Sequence, residues 1–144
     1  MNKLMNNDVQ IALSALKERA LTCVLCCDGE LIEFRDRGVA PLLSLLEGGR
    51  DVSGFSAADK VVGAAAAYLY VLLGVRCVYA LTVSKMAAEV FLRFGIEYRF
   101  DTVVDKILNR TGDGFCPMES AVIGVKDPNE ARIRILKKLD ELKR

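Results

Sequence analysis

The chain has 144 residues, 52% apolar and 27% charged, with 20 Lys+Arg against 19 Asp+Glu and neither histidine nor tryptophan. This is the size of one domain with a sizeable core, spanning 1–144, and the balanced charge supplies no field to recruit nucleic acid or a membrane surface. Without histidine, the commonest general base and the commonest neutral metal ligand are both missing.

The apolar run from Val61 to Val75 is shorter than the ~20 residues of a spanning helix. The opening MNKLMNNDVQ has no apolar signal region, so a cytoplasmic location with five free thiols is expected. Asn6 or Asn7 can cap a first helix whose apolar stripe is Val9, Ala12, Leu13, Leu16 and Ala20. Residues 22–27 and 30–35 read as strands joined by Asp28-Gly29, a dipeptide suited to a two-residue hairpin turn. Pro41 opens a short helix that Gly48-Gly49 stops.

After a polar loop over 50–56, Ser56 with Asp59 three residues on reads as the capping box of a helix running to Gly74. RCVYALTV suits an interior strand, and Ser84 and Gly95 bound the helix that follows it. EYRF reads as another strand. Asp101 is placed to cap a helix reaching about Asn109, followed by the loop RTGDGFCPMES. Asp127, Pro128 and Glu130 then occupy the first turn of a final helix that carries Ala131, Ile135, Leu139 and Leu142 on one face.

Helices alternating with strands, after one hairpin, argue for a three-layer α/β/α sandwich on a mixed sheet. GVAPLL, ADKVVGAAAAYL and CPMESAV are similar to a bacterial domain family of unknown function that has a cytidine-deaminase-like fold without its zinc site. Zinc deaminases open the two relevant helices with H-x-E and P-C-x-x-C. The corresponding openings here are SAADKVVG and TVSKMAAE, which offer Asp59, Lys60, Ser84 and Lys85. A catalytic zinc needs about three protein ligands of suitable softness. No metal, no other cofactor and no zinc-dependent deamination are therefore expected.

The resemblance further implies that two helix N-termini point into one pocket. Their unpaired N–H groups, with Lys60 and Lys85 beside them, would favour an anion, such as the phosphate of a nucleotide-like ligand. Ser56 and Asp59 are either caps alone or also ligand groups, with Asp59 accepting a ribose hydroxyl, acting as a base, or pairing with Lys60. Arg110, in the TGDG loop, suits bidentate phosphate binding.

Cys116 precedes Pro117 and would cap a short helix with Glu119 at its third position. It is either a small residue at a turn, with Glu119 closing a capping box, or a thiolate nucleophile with Glu119 or Asp59 as acid/base. Cys23, Cys26, Cys27 and Cys77 read as small hydrophobes, and Gly63 with Ala64 to Ala67 as a close-packing stripe. Three functions follow: a module that binds a nucleotide-like or phosphorylated small molecule, an enzyme acting through Cys116, and a ligand-free homo-oligomer.

Overall fold

In the computed structural model, which describes residues 7–109 and 111–143, Asp28 and Gly29 take φ values of 50° and 84°. This is the left-handed pair that a tight hairpin needs. It joins β1 (Cys23–Cys27) to β2 (Glu30–Phe34) in the antiparallel register Cys23↔Phe34 to Cys27↔Glu30.

The segment 56–62 is not the first half of a helix. It is strand β3 (Ser56–Val62), set between β1, to which it runs antiparallel, and β4 (Cys77–Ser84), to which it runs parallel. Ser56 therefore opens a strand and not a helix, and the capping-box reading of Ser56 and Asp59 is corrected. The physical reason is burial: Ala57 and Ala58 are fully covered on opposite faces of the sheet, where small side chains admit helices from both sides. Helix α3 (Ala64–Leu73) begins only after Gly63 and ends at Gly74, whose φ of 74° lets its N–H turn back to Tyr70 and Val71.

Helix α4 (Lys85–Phe94) follows β4 as expected, with the Ser84 hydroxyl accepting the Ala87 N–H and Gly95 in the left-handed conformation. Strand β5 (Glu97–Val104) runs four residues beyond EYRF, parallel to β4. Asp101 lies within it rather than capping a helix, because Thr102, Val103 and Val104 are β-branched and find rungs on β4. The helix expected over 101–109 is thus replaced by strand and loop.

The sheet order is β2-β1-β3-β4-β5, a mixed five-stranded sheet in an α/β fold. Helix α1 (Asn7–Glu18) packs Ala12, Ala15 and Leu16 against Val24, Cys26 and Ala58. Cys23, Leu25 and Ala57 face the other way, into the larger core with α2 (Ala40–Gly48), α3, α4 and α6 (Pro128–Leu142). Asn6, the alternative cap of α1, lies outside the described residues, and Ala20 falls beyond the helix end. Asp127 caps α6 through the Asn129 N–H, with Ala131 and Ile135 buried but Leu142 exposed.

Candidate functional site

Glu119 sits on α5 (Pro117–Ala121), a single turn that Cys116 and Pro117 open. Its carboxylate does not close a local capping box. It reaches across the fold, where Oε2 accepts the Ala64 N–H at 2.8 Å together with the Ser84 hydroxyl, and Oε1 accepts the Ile107 N–H at 2.7 Å. Ser84 in turn holds the Ala87 N–H at 3.0 Å. The first turns of α3 and α4 thus converge, and what lies between them is the protein's own carboxyl group, 1% exposed.

Gly63 makes this approach possible: a Cβ there would lie 3.0 Å from Glu119 Oε2 and 3.1 Å from the Ile107 side chain. With Glu119 filling this place and glycine, alanine and serine around it, the residues present do not fit a zinc ion. Among the described residues, Asp8 of α1 and Cys27 and Asp28 at the hairpin turn are grouped closely enough to hold a cation. They lie outside the cleft described next.

Asp59 is paired with Cys23 across β1 and β3 and is 8% exposed. Tyr70, from α3, donates its phenolic hydrogen to Asp59 Oδ2 at 2.7 Å, and the Val61 N–H approaches Oδ1 at 3.3 Å. Cys23 Sγ lies 3.3 Å from the same phenolic oxygen. Burial pushes the Asp59 carboxyl up to about 7, against the lowering effect of its hydrogen bonds. Burial first, and the Asp59 charge second, also push up the Cys23 thiol and the Tyr70 phenol. The result is a continuous chain of exchangeable hydrogens, Cys23 to Tyr70 to Asp59, set below the surface.

Cys23 and Asp59 contribute to the wall of a cleft of about 1010 Å³, which opens between the β2–α2 turn, the end of β3 and the loop leading to α5. Its lining is largely apolar, with Val61, Ala65, Ala66, Ile107 and Leu139 among it. Arg35, Arg37 and Lys60 stand at its exposed side, and none of them has an ion-pair partner among the described residues. Cys116 is half-buried in the same wall, and its thiol makes no capping bond.

The expected site residues therefore separate. Asp59, Lys60, Cys116 and Glu119 line one cleft. Ser56 lies at the opposite end of β3 from the opening of α3, buried between Cys26 and Cys77. Ser84 is committed to Glu119 and Ala87. Lys85 points outward to an exposed pair with Asp105 at 2.8 Å, which raises the lysine and lowers the aspartate. It lines no part of the cleft, because a side chain at the first position of α4 projects away from the buried cap. Arg110 lies outside the described residues.

Sequence reasoning missed Arg35, Arg37 and Tyr70, and it read Cys23 as a small buried hydrophobe, which it is, without its contact to Tyr70. The basic turn RDRG was a visible signal for the first two. The tyrosine and the thiol meet only through the β1–β3 register and the rotation of α3.

The family model for a domain of unknown function, DUF1893, matches residues 11–139. The solved structure of a DUF1893 family protein of Thermotoga maritima, TM1506, is similar over 94% of this chain and 92% of that one, at 25% identity and a TM-score of 0.86. A diaminohydroxyphosphoribosylaminopyrimidine deaminase/5-amino-6-(5-phosphoribosylamino)uracil reductase of the same organism matches 65% of this chain and 35% of that one. Its identity is 16% and its TM-score 0.43, too low a likeness to carry an argument. No curated protein matches the chain. No helix among the described residues is long and apolar enough to cross a membrane.

Proposed function

The chain belongs to the DUF1893 family, and from that premise we propose that it is a binding module for a nucleotide-like or phosphorylated small molecule, held in the cleft over Asp59. The observation that carries this reading is the pairing of three unmatched basic side chains, Arg35, Arg37 and Lys60, with a largely apolar cavity whose wall includes two buried carboxyl groups, Asp59 and the already committed Glu119. Guanidinium and ammonium groups at the mouth suit a phosphate. The apolar walls suit a planar ring, and Asp59 suits a hydroxyl or amino donor. The cleft lies over the carboxyl end of β3, and ligands in open α/β sheets favour the carboxyl ends of the strands.

In this reading the fold is a three-layer α/β/α sandwich of the cytidine-deaminase-like kind. Where a deaminase would hold metal, Glu119 closes the two helix openings, and the anion site moves sideways to the arginines. Lys85 and Ser84 are then structural. An enzymatic reading remains second, favoured by Asp59 at about 7 in the same cleft as Cys116. A carboxyl group in that range suits proton transfer at neutral pH. In such an enzyme Cys116 is the nucleophile and Asp59 the acid/base, since Glu119 is already committed to three donors.

Native mass spectrometry of gently purified protein, followed by denaturation, identifies any retained small molecule. Calorimetric titration with a panel of ribonucleoside monophosphates then gives the affinity. Arg37→Ala and Lys60→Ala are each expected to weaken binding by about tenfold, as loss of a charged hydrogen bond does, and Lys85→Ala to leave it unchanged. Equal binding by all three variants, or no binding by the parent protein, removes the proposal.

A further inference from the structure

We propose that the free edge of β5 is a self-association surface, on which a second copy of this chain adds its own β5, antiparallel, about a two-fold axis at Phe100. β5 ends the sheet order, so one side of its backbone is unpaired. Its pairing with β4 keeps one offset from Cys77↔Glu97 to Ser84↔Val104, with no bulge and no proline to deter a further strand. Phe100 and Val103 are 42% and 44% exposed. Phe100 stacks on Tyr98, which packs on Phe91 of α4, so the exposed ring extends the core rather than standing apart from it. The other edge strand, β2, is guarded by ion pairs from Arg19 and Arg50 to Glu33 and Glu30.

The backbone limits which registers are possible. Alternate residues of β5 turn their N–H and C=O toward β4, and the remainder turn outward. In an antiparallel pair, directly opposed residues must both be hydrogen-bonded or both not. Two copies of one strand can therefore pair only about a residue, never about a peptide bond.

Charge then selects among the residue-centred registers. Centring on Arg99 opposes Arg99 to itself and Glu97 to Asp101. Centring on Asp101 opposes that carboxylate to its copy. Centring on Phe100 places Arg99 opposite Asp101 twice, Phe100 opposite Phe100, Tyr98 opposite Thr102 and Glu97 opposite Val103. That register pairs residues 97–103 of both strands, whereas centres at Tyr98 or Thr102 shorten the overlap.

Charged edge residues usually deter pairing. Here their alternation on one face forbids the neighbouring registers and favours one. To form these pairs, Arg99 and Asp101 must each exchange an exposed contact within their own chain for one across the strands. Arg99 is held by the Tyr98 carbonyl and a 3.9 Å approach to Glu97, and Asp101 by the exposed Tyr79 hydroxyl. Such two-fold closure is the usual form of a homodimer.

Sedimentation velocity of the full chain, over a concentration series reaching about 200 µM, is expected to show a monomer–dimer equilibrium. Arg99→Asp and Asp101→Arg each turn two attractive cross-strand pairs into repulsive ones, and each is expected to weaken association by about tenfold. The exchange of both residues in one chain restores the pairs with reversed polarity and is expected to bring association back to near the parent value. A monomer throughout overturns the proposal. So does a dimer indifferent to either single reversal, or a double variant as weak as the singles. Both positions are exposed, and circular dichroism confirms that each variant is folded before it is compared.

Discussion

Replacing Asp59 by asparagine removes one titration from the interior and almost nothing of its shape. The folded carboxyl titrates at about 7, against an ordinary value of 3.8. The group therefore contributes stability that is fully present below its unfolded value and is lost as pH rises through the folded one, because the folded state must then bury a charge. Integrated from about pH 5 to about pH 8.5, those two values remove roughly 3 kcal/mol from the wild-type protein. Asparagine has no such term. Its oxygen can take the Val61 N–H, and its amide can donate to Tyr70, whose hydroxyl then turns to Cys23.

Urea denaturation followed by far-ultraviolet circular dichroism, run on both proteins at each pH, gives the difference directly. The other titrating groups are common to the pair; Cys23 and Tyr70, which the Asp59 charge helps to push up, are raised first by burial and stay protonated over this range in both proteins. Asp59→Asn is expected to gain on the wild type by roughly 3 kcal/mol between about pH 5 and about pH 8.5. A difference that stays flat across that range, or moves the other way, would refute the reasoning that burial governs Asp59.

Glu119→Ala leaves the buried Ala64 N–H and the half-buried Ile107 N–H without their acceptor, and this is expected to cost about 2–3 kcal/mol in the same denaturation assay. Glu119→Gln is also expected to destabilise, since either orientation turns its amide toward a backbone or hydroxyl donor. Gly63→Ala forces a methyl group against Oε2 and Ile107 and is expected to cost about 1–3 kcal/mol. Wild-type stability in any of these three variants contradicts the bracket described for Glu119. Native thiol labelling is expected at Cys27 and Cys116, which are half-buried, and at Cys23, Cys26 and Cys77 only once denaturant is added. Mass mapping of the labelled protein checks this.

The hairpin and several of the helix ends were legible because each is written in local chemistry. Asp28-Gly29, Ser84 with Gly95, and Asp127-Pro128 each satisfy a turn or cap with residues a few positions apart. β3 was not legible, since an alanine-rich strand buried on both faces shows no alternation and its Ser56 to Asp59 spacing imitates a cap. The end of β5 was lost in the same way to Asp101, where the β-branched residues that follow it, paired with a neighbouring strand, outweigh a capping signal.

The cleft was half legible. Asp59, Lys60, Cys116 and Glu119 were picked out by type and do meet, but the work of Glu119 depends on helices 55 and 35 residues earlier. No local pattern encodes a partner at that distance. Lys85 looked like part of the site only while its side chain had no direction.

The same separations bear on the order of events in folding. A carboxylate that joins Ala64, Ser84 and Ile107 can act only after β3, β4 and β5 are aligned, because it arrives from a one-turn helix too short to form alone. Its bonds belong to the downhill side of the barrier. Disturbing them should leave the refolding rate almost untouched and accelerate unfolding, so that Glu119 governs the lifetime of the native state rather than the speed of reaching it.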